Sequence, residues 1–359
     1  MKKVYLLKSI FASAALLLST ALTAQVSIPA DSANYVIGND TKVNVIDNAS
    51  SFSAGSGGAG LVWDFSGLAA GTERTLSVEQ VKSGGLNPDP VSAALKVVIS
   101  KGLLNDVYYY DPSSSGLGYA GQQYGINVLN YAGEGAVQWT YPITYLDSST
   151  VNVSKTYSTG FGPTSVDHDI SGQVTSVVDA YGRIKMPYGD VYDVLRIKIT
   201  ELITDTADVP LIGNQVYNYD NIMYEWRVAS NQHMILRYAR KKEGSTTTRP
   251  LYYQVADSVE LQPEPSSVLM QMPDLPELII SPNPANDKIS LSFDVLSNEQ
   301  IEGLKVLDLS GRVASNLDIR DYRSNVYLES YDVSNLRAGN YILQVKTNQR
   351  NIQKRFVVK

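Results

Sequence analysis

The sequence predicts an all-β protein of two domains, a larger β-sandwich or jelly-roll-like one followed by a smaller β-sandwich. Three observations carry this expectation. Apolar residues alternate with polar ones in short runs, Gly, Asn, Asp and Ser separate the runs, and no segment of useful length has a helical period. Composition agrees: 43% of residues are hydrophobic and only 18% charged, with 26 Gly and 24 Tyr. A chain of 359 residues can bury a sizeable core without covalent staples, so the absence of cysteine is compatible with an extracellular setting. That absence also removes thiol nucleophiles, thiolate metal sites and redox pairs.

At the amino end Lys2, Lys3 and Lys8 precede an apolar stretch from Ile10 to Leu22, which closes on Thr23-Ala24 before Gln25. A basic start, a short apolar middle and a small-residue exit make a secretory signal peptide, so residues 1–24 are expected to be cleaved off. Ser13, Ser19 and Thr20 interrupt the stretch, whereas a membrane span needs about 18 uninterrupted apolar residues. No transmembrane segment is therefore expected in the mature chain, and without cysteine no lipid-modified amino terminus. Removing the three leader lysines leaves 27 basic against 36 acidic residues, a net charge of −9. Phosphate binding needs a basic surface, which argues against nucleic acid as a partner.

Residues 25–260 are expected to form the larger domain. Leu195, Ile197 and Ile199 alternate with Arg196, Lys198 and Thr200, after a turn at Pro187-Tyr188-Gly189-Asp190. Gln173 to Asp179 and Arg183 to Met186 flank Tyr181-Gly182 as an expected hairpin. Tyr224, Trp226 and Val228, then Leu236 and Tyr238, then Leu251, Tyr253 and Val255 read as three more strands. The pattern suggests two packed sheets of four to six strands. Leu261 to Glu277, with Pro263, Pro265, Pro273 and Pro276, reads as a semi-extended linker.

Chemistry in this region is sparse. There is no Gly-x-Ser-x-Gly elbow, no His-Glu-x-x-His pair and no phosphate-cradling glycine loop, and no cofactor, metal or catalytic residue is indicated. Of the two histidines, His168 lies between Asp167 and Asp169 and reads as a loop residue; His233 is the other. The 36 acidic residues leave room for a two-carboxylate polysaccharide hydrolase. Tyr108, Tyr109, Tyr110, Tyr119, Tyr124, Tyr131, Trp139, Tyr141 and Tyr145 crowd a Gly- and Ser-rich stretch. Tyr109, Tyr110, Tyr124 and Trp139 are the candidate platform for a glycan or protein ligand. Tyrosines are also ordinary strand formers lining sheets, which is the commoner case.

The carboxyl-terminal segment, residues 278–359, is the most regular. Ile289, Leu291 and Phe293 alternate with Lys288, Ser290 and Ser292 as a one-sided strand, and Leu304 to Leu309 reads as a central strand that ends at Ser310-Gly311. Tyr341, Leu343 and Val345 follow Ala338-Gly339-Asn340, and Phe356 and Val358 close the chain. Four blocks stand out in order: Ser281-Pro282-Asn283-Pro284-Ala285-Asn286-Asp287-Lys288-Ile289, Val306 to Val313, Asp332-Val333-Ser334-Asn335-Leu336 with Gly339-Asn340-Tyr341, and Lys354-Arg355-Phe356-Val357-Val358-Lys359.

Together these blocks closely resemble the type A sorting domain of the type IX (Por) secretion system of Bacteroidota. The resemblance implies an immunoglobulin-like sandwich, recognition by the outer-membrane translocon, and removal by a gingipain-like sortase that in many members joins the cargo to surface lipopolysaccharide. Secreted or outer-membrane-surface localisation follows. Among the sorting-signal residues Pro282, Asn283, Pro284, Gly311, Gly339, Lys354, Arg355 and Lys359, the two prolines are expected to fix an extended entry into the first strand, the two glycines to serve turns, and Lys354, Arg355 and Lys359 to face the translocon. Read without the resemblance, the same segment is a plain immunoglobulin-like module.

Asp179 to Ile184 and Asp193 to Lys198, followed by Tyr224-Glu225-Trp226, look like an ectodomain pattern of uncharacterised type IX cargo proteins. Asp31-Ser32-Ala33, Asp205-Thr206-Ala207 and Asp257-Ser258-Val259 are similar to the short O-glycosylation signal of Bacteroidota, which would put Ser32, Thr206 and Ser258 on exposed loops. The cargo reads first as a non-catalytic binding or adhesion module and second as the hydrolase.

Overall fold

The computed structural model describes residues 27–256 and 278–359, apart from 85–87, 103, 136, 162–163, 297 and 323–325. The segments expected as a leader, residues 1–24, and as a linker, residues 261–277, lie outside the described residues. The amino-terminal domain begins with β1 (Ser27–Ile28), the short helix α1 (Ala30–Ala33), β2 (Thr41–Ile46), β3 (Gly58–Asp64), β4 (Thr72–Gln80) and β5 (Leu95–Ile99). Next come β6 (Asp106–Pro112), β7 (Gly116–Tyr124), β8 (Asn127–Asn130), β9 (Val137–Thr140) and β10 (Ile143–Thr144). Four long strands follow: β11 (Ser148–Phe161), β12 (Thr164–Lys185), β13 (Val191–Val209) and β14 (Gly213–Arg227). Then β15 (Leu236–Glu243), β16 (Thr246–Thr248) and β17 (Leu251–Gln254) complete the domain.

The all-β expectation holds, with one difference in detail. β1 and β10 pair with each other, and the other strands form one 15-stranded sheet running β11-β12-β13-β14-β15-β17-β2-β4-β5-β6-β7-β8, with β3, β9 and β16 as branches. β17 pairs with both β15 and β2, so what sequence periodicity reads as two sheets is one continuous ladder. Strand twist curls it until its ends face each other. Side chains then bridge the gap: Tyr119 Oη donates to Glu201 Oε1 at 2.8 Å, Trp139 Nε1 to Ser176 Oγ at 2.7 Å, and Tyr157 Oη to the Val128 carbonyl at 2.6 Å.

Tyr181-Gly182 is not a hairpin but lies within the 22-residue β12. Glycine is needed there because β3 runs alongside in parallel, and a Cβ on Gly182 would stand 2.0 Å from the Leu61 carbonyl oxygen. Close approach, not turning, selects the residue. Leu195, Ile197 and Ile199 do face the core, as their alternation predicts. Arg196, on the other face, is fully buried as well: Nε and Nη2 each reach Asp179 at 2.8 Å, among the rings of Trp63, Tyr224 and Trp226.

Buried charge is a feature of this core. Glu225 accepts from Arg237 Nη2 at 2.5 Å and lies 3.4 Å from Arg227 Nη1, while Tyr35 and Tyr110 hydroxyls also accept from these guanidiniums. Glu225, Arg227 and Arg237 thus each have a partner of opposite charge, the condition under which such groups tolerate burial. Glu201 similarly accepts from Tyr119, Gln122 and Asn221, although burial still pushes its carboxyl up.

The carboxyl-terminal domain comprises β18 (Ile279–Ser281), β19 (Lys288–Asp294), β20 (Ile301–Asp308), β21 (Val313–Leu317), β22 (Val326–Asp332), β23 (Gly339–Thr347) and β24 (Asn351–Val358). A three-stranded sheet β18-β19-β22 packs on a four-stranded sheet β21-β20-β23-β24. Between them lie Ile289, Leu291, Phe293, Leu304, Val306, Leu343, Val345 and Phe356, the residues whose alternation defines the strands.

Candidate functional site

The opening between the two ends of the curled sheet is a cleft of about 710 Å³. Its floor comes from the inward faces of β11 to β14, and its rim from Leu104 and the β7–β8 turn, where Ile126 is 83% exposed. Alternation on β12 turns Val166, His168 and Ile170 inward, and on β13 Ile203, Asp205 and Ala207. His168 and Asp205 thus occupy positions where the strand pattern calls for apolar residues.

They form a row with Thr159 of β11. His168 Nδ1 lies 2.9 Å from Asp205 Oδ2, and its Nε2 lies 2.9 Å from Thr159 Oγ1. A carboxylate only accepts, so Nδ1 carries the proton and Nε2 accepts the threonine hydroxyl in the neutral ring. Tyr157, directly opposite in register, stacks on the imidazole with centroids 4.8 Å apart and planes at 9°. The Asp205 side chain is 2% exposed, and its Oδ1 has no hydrogen-bond partner among the described residues. Asp89 also lines the cleft, but Lys96 Nζ holds it at 2.9 Å. Half-buried Tyr217 and buried Tyr219 of β14 complete the lining.

His168 is therefore a strand residue, not a loop residue, held by partners on two neighbouring strands. Thr159, Asp205, Tyr217 and Tyr219 are the site residues that sequence reading misses; a polar residue on an apolar parity was the available signal.

The aromatic stretch is placed differently from a platform. Tyr109, Tyr110 and Trp139 are buried, so their rings are not open to a ligand arriving from solvent. Tyr109 packs with Val91, Val98 and Val128 under the 88–94 segment, Tyr110 Oη accepts from Arg237, and Trp139 donates to Ser176. Tyr124 is partly buried, its ring 4.1 Å from Lys241 Nζ. These rings are large and apolar enough that the curled sheet folds over them. Of the glycosylation-like triplets, Ser32 lies in α1 and Thr206 is half-buried within β13 rather than on a loop, while Ser258 lies outside the described residues.

In the carboxyl-terminal domain, the first and last sequence blocks meet. Pro282, Asn283 and Pro284 occupy the turn between β18 and β19, because one strand already precedes them. Asn283 Oδ1 accepts from the Val357 backbone at 3.0 Å, and Ala285 and Lys359 complete the pairing along β24. Gly311 takes φ +82° in the β20–β21 turn, where Asp308 caps Ser310 and Arg312. Gly339 is instead the first residue of β23, opposite Val358. Arg355 and Lys359 are exposed, and Lys354 is half-buried with its ammonium pulled down by burial.

Residues 280–359 match the family model described as Secretion system C-terminal sorting domain. The chain carries a type IX sorting domain. The sorting domain supports export by the type IX system, implies interaction with the secretion machinery and points to a secreted or cell-surface location. No curated protein and no solved structure matches the chain. Among the described residues no helix is long and apolar enough to cross a membrane.

Proposed function

We propose that the chain is a type IX cargo protein of Bacteroidota, led out of the cytoplasm by a signal peptide at residues 1–24 and cut by a sortase in the linker at 261–277. Residues 25–260 act as a non-catalytic binding module whose ligand, a glycan or a protein segment, enters the cleft at the open end of the sheet. The observation that carries this reading is the row Thr159–His168–Asp205 with Tyr217 beside it, placed polar groups in a cleft whose lining mixes apolar residues such as Ile126, Val128, Val166 and Val209 with polar ones such as Gln123, Asn127 and Ser158. Ligand sites combine apolar walls with a few placed polar groups in this way.

Glycan-array and bacterial-surface binding by the mature chain test the reading. Binding lost in both His168→Ala and Tyr217→Ala is expected; no binding across a broad panel overturns it. A second reading, a carboxylate-based polysaccharide hydrolase, rests on Asp89 and Asp205 both lining the cleft. Each is engaged by a basic partner, Lys96 or His168, which disfavours their use as a free acid and base. Hydrolysis of a polysaccharide that vanishes in Asp205→Asn would favour it.

A further inference from the structure

Ile279 and Leu328 are buried yet stand apart from the core of their own sandwich. With Val62 of β3 they form a separate apolar cluster, against which Val191 packs. Their neighbours Ile280, Tyr327 and Tyr331 point the other way, into the sorting-domain core. The second face of the β18-β19-β22 sheet thus carries an apolar patch of its own, Ile279 and Leu328, set among serines, and the cargo domain covers it.

Around that patch the polar contacts match in charge. Arg183 Nε donates to Asp193 of its own domain at 3.1 Å, while Nη1 and Nη2 cross the seam to Ser292 Oγ at 3.3 Å and Asp294 Oδ1 at 2.6 Å. Two residues on, Lys185 Nζ donates to the Leu328 carbonyl at 3.1 Å and to Glu329 Oε1 at 2.5 Å. Ser330 Oγ returns a hydrogen bond to Asp64 Oδ2 at 2.8 Å. The Arg183 and Lys185 side chains are only 6% and 15% exposed. Undocking would leave the guanidinium with one carboxylate and would bare Ile279 and Leu328 to water. The cargo side of the seam also exists only in folded cargo, because β3 joins β12 over the Gly182–Leu61 to Lys185–Asp64 register.

We propose that this face of the sorting domain is a dock for its own folded cargo domain, so that the two travel as one body and stay bound when the 261–277 connection is cut. Linker cleavage then does not by itself free the cargo; a second event must break the seam.

The test places a site-specific protease sequence within 261–277 of the otherwise unaltered mature chain, cuts it, and follows the two pieces by size-exclusion chromatography at micromolar concentration and low salt. Co-elution as a one-to-one species is expected. Arg183→Met should weaken association about tenfold or more, as removal of one partner from a buried charged contact does. Leu328→Glu should separate the pieces while each keeps its circular dichroism, since Leu328 lies outside the sorting-domain core. Separate elution of the unaltered pieces overturns the proposal, and so does association of both variants as tight as the parent.

Discussion

Lys241 offers a prediction that runs against the usual expectation for a buried charge: replacing it with methionine should stabilise the protein. Its side chain is fully buried between the rings of Tyr108 and Tyr124, and Nζ has no hydrogen-bond partner among the described residues. Burial brings its ammonium down from 10.5 to about 8, in spite of Asp106 and Glu201 nearby. At about 1.4 kcal/mol per pH unit, that gap makes the charged form about 3 kcal/mol worse in the folded chain than in the unfolded one. Between pH 8 and 10.5 the unfolded chain holds a proton that the folded chain has released, so this group's contribution to stability rises with pH and its penalty is complete below 8. Lys241→Met keeps the stem and removes the charge. It should gain about 2–3 kcal/mol at pH 7, and the gain should shrink by about 2 kcal/mol by pH 9.5, before tyrosine ionisation in the unfolded chain intervenes. Urea denaturation followed by tryptophan fluorescence reads the cargo domain alone, because Trp63, Trp139 and Trp226 all lie in it. A variant no more stable than the parent at pH 7, or a difference that stays flat with pH, would refute the reasoning.

Other consequences are equally direct. His233 is buried beside Arg227, its ring nitrogens have no hydrogen-bond partner among the described residues, and burial lowers its imidazole from 6.5 to about 4. Its share of stability is therefore lost as pH falls from 6.5 towards 4, and His233→Asn should flatten the acid limb of a pH–stability curve by about 3 kcal/mol. Glu201→Leu leaves Tyr119, Gln122 and Asn221 without their acceptor and should cost about 3 kcal/mol or more by the same urea assay. Gly182→Ala should cost at least about 2 kcal/mol and loosen β3, read as faster amide exchange at Leu61 to Trp63, because no side chain fits against the Leu61 carbonyl. A chain ending at Ser258 should fail to reach the cell exterior, measured by fractionation; normal export of that form would remove the type IX assignment.

Much of the sorting domain was legible because its signal is local. Ile289, Leu291 and Phe293 face the core for the reason their alternation gives, and the motif blocks are contiguous. The run Leu278-Ile279-Ile280 was less legible: period-two reasoning wants one polar face, and only the cargo docked on the other side accounts for an apolar residue at each parity. Polar residues at inward positions were equally opaque. His168 and Asp205 are separated by 37 residues in sequence, and they meet only because β12 and β13 pair antiparallel in one register.

The sequence by itself determined the fold class, the inward faces of strands such as Leu195–Ile199 and Ile289–Phe293, and the carboxyl-terminal sorting signal, since these depend on alternation and short contiguous motifs. Tertiary structure decided which tyrosines became core, which glycine serves close packing, where the cleft opens and what covers the sorting domain. Each of those depends on strands far apart in the chain being brought side by side, and a linear pattern holds no record of which face its neighbour will cover.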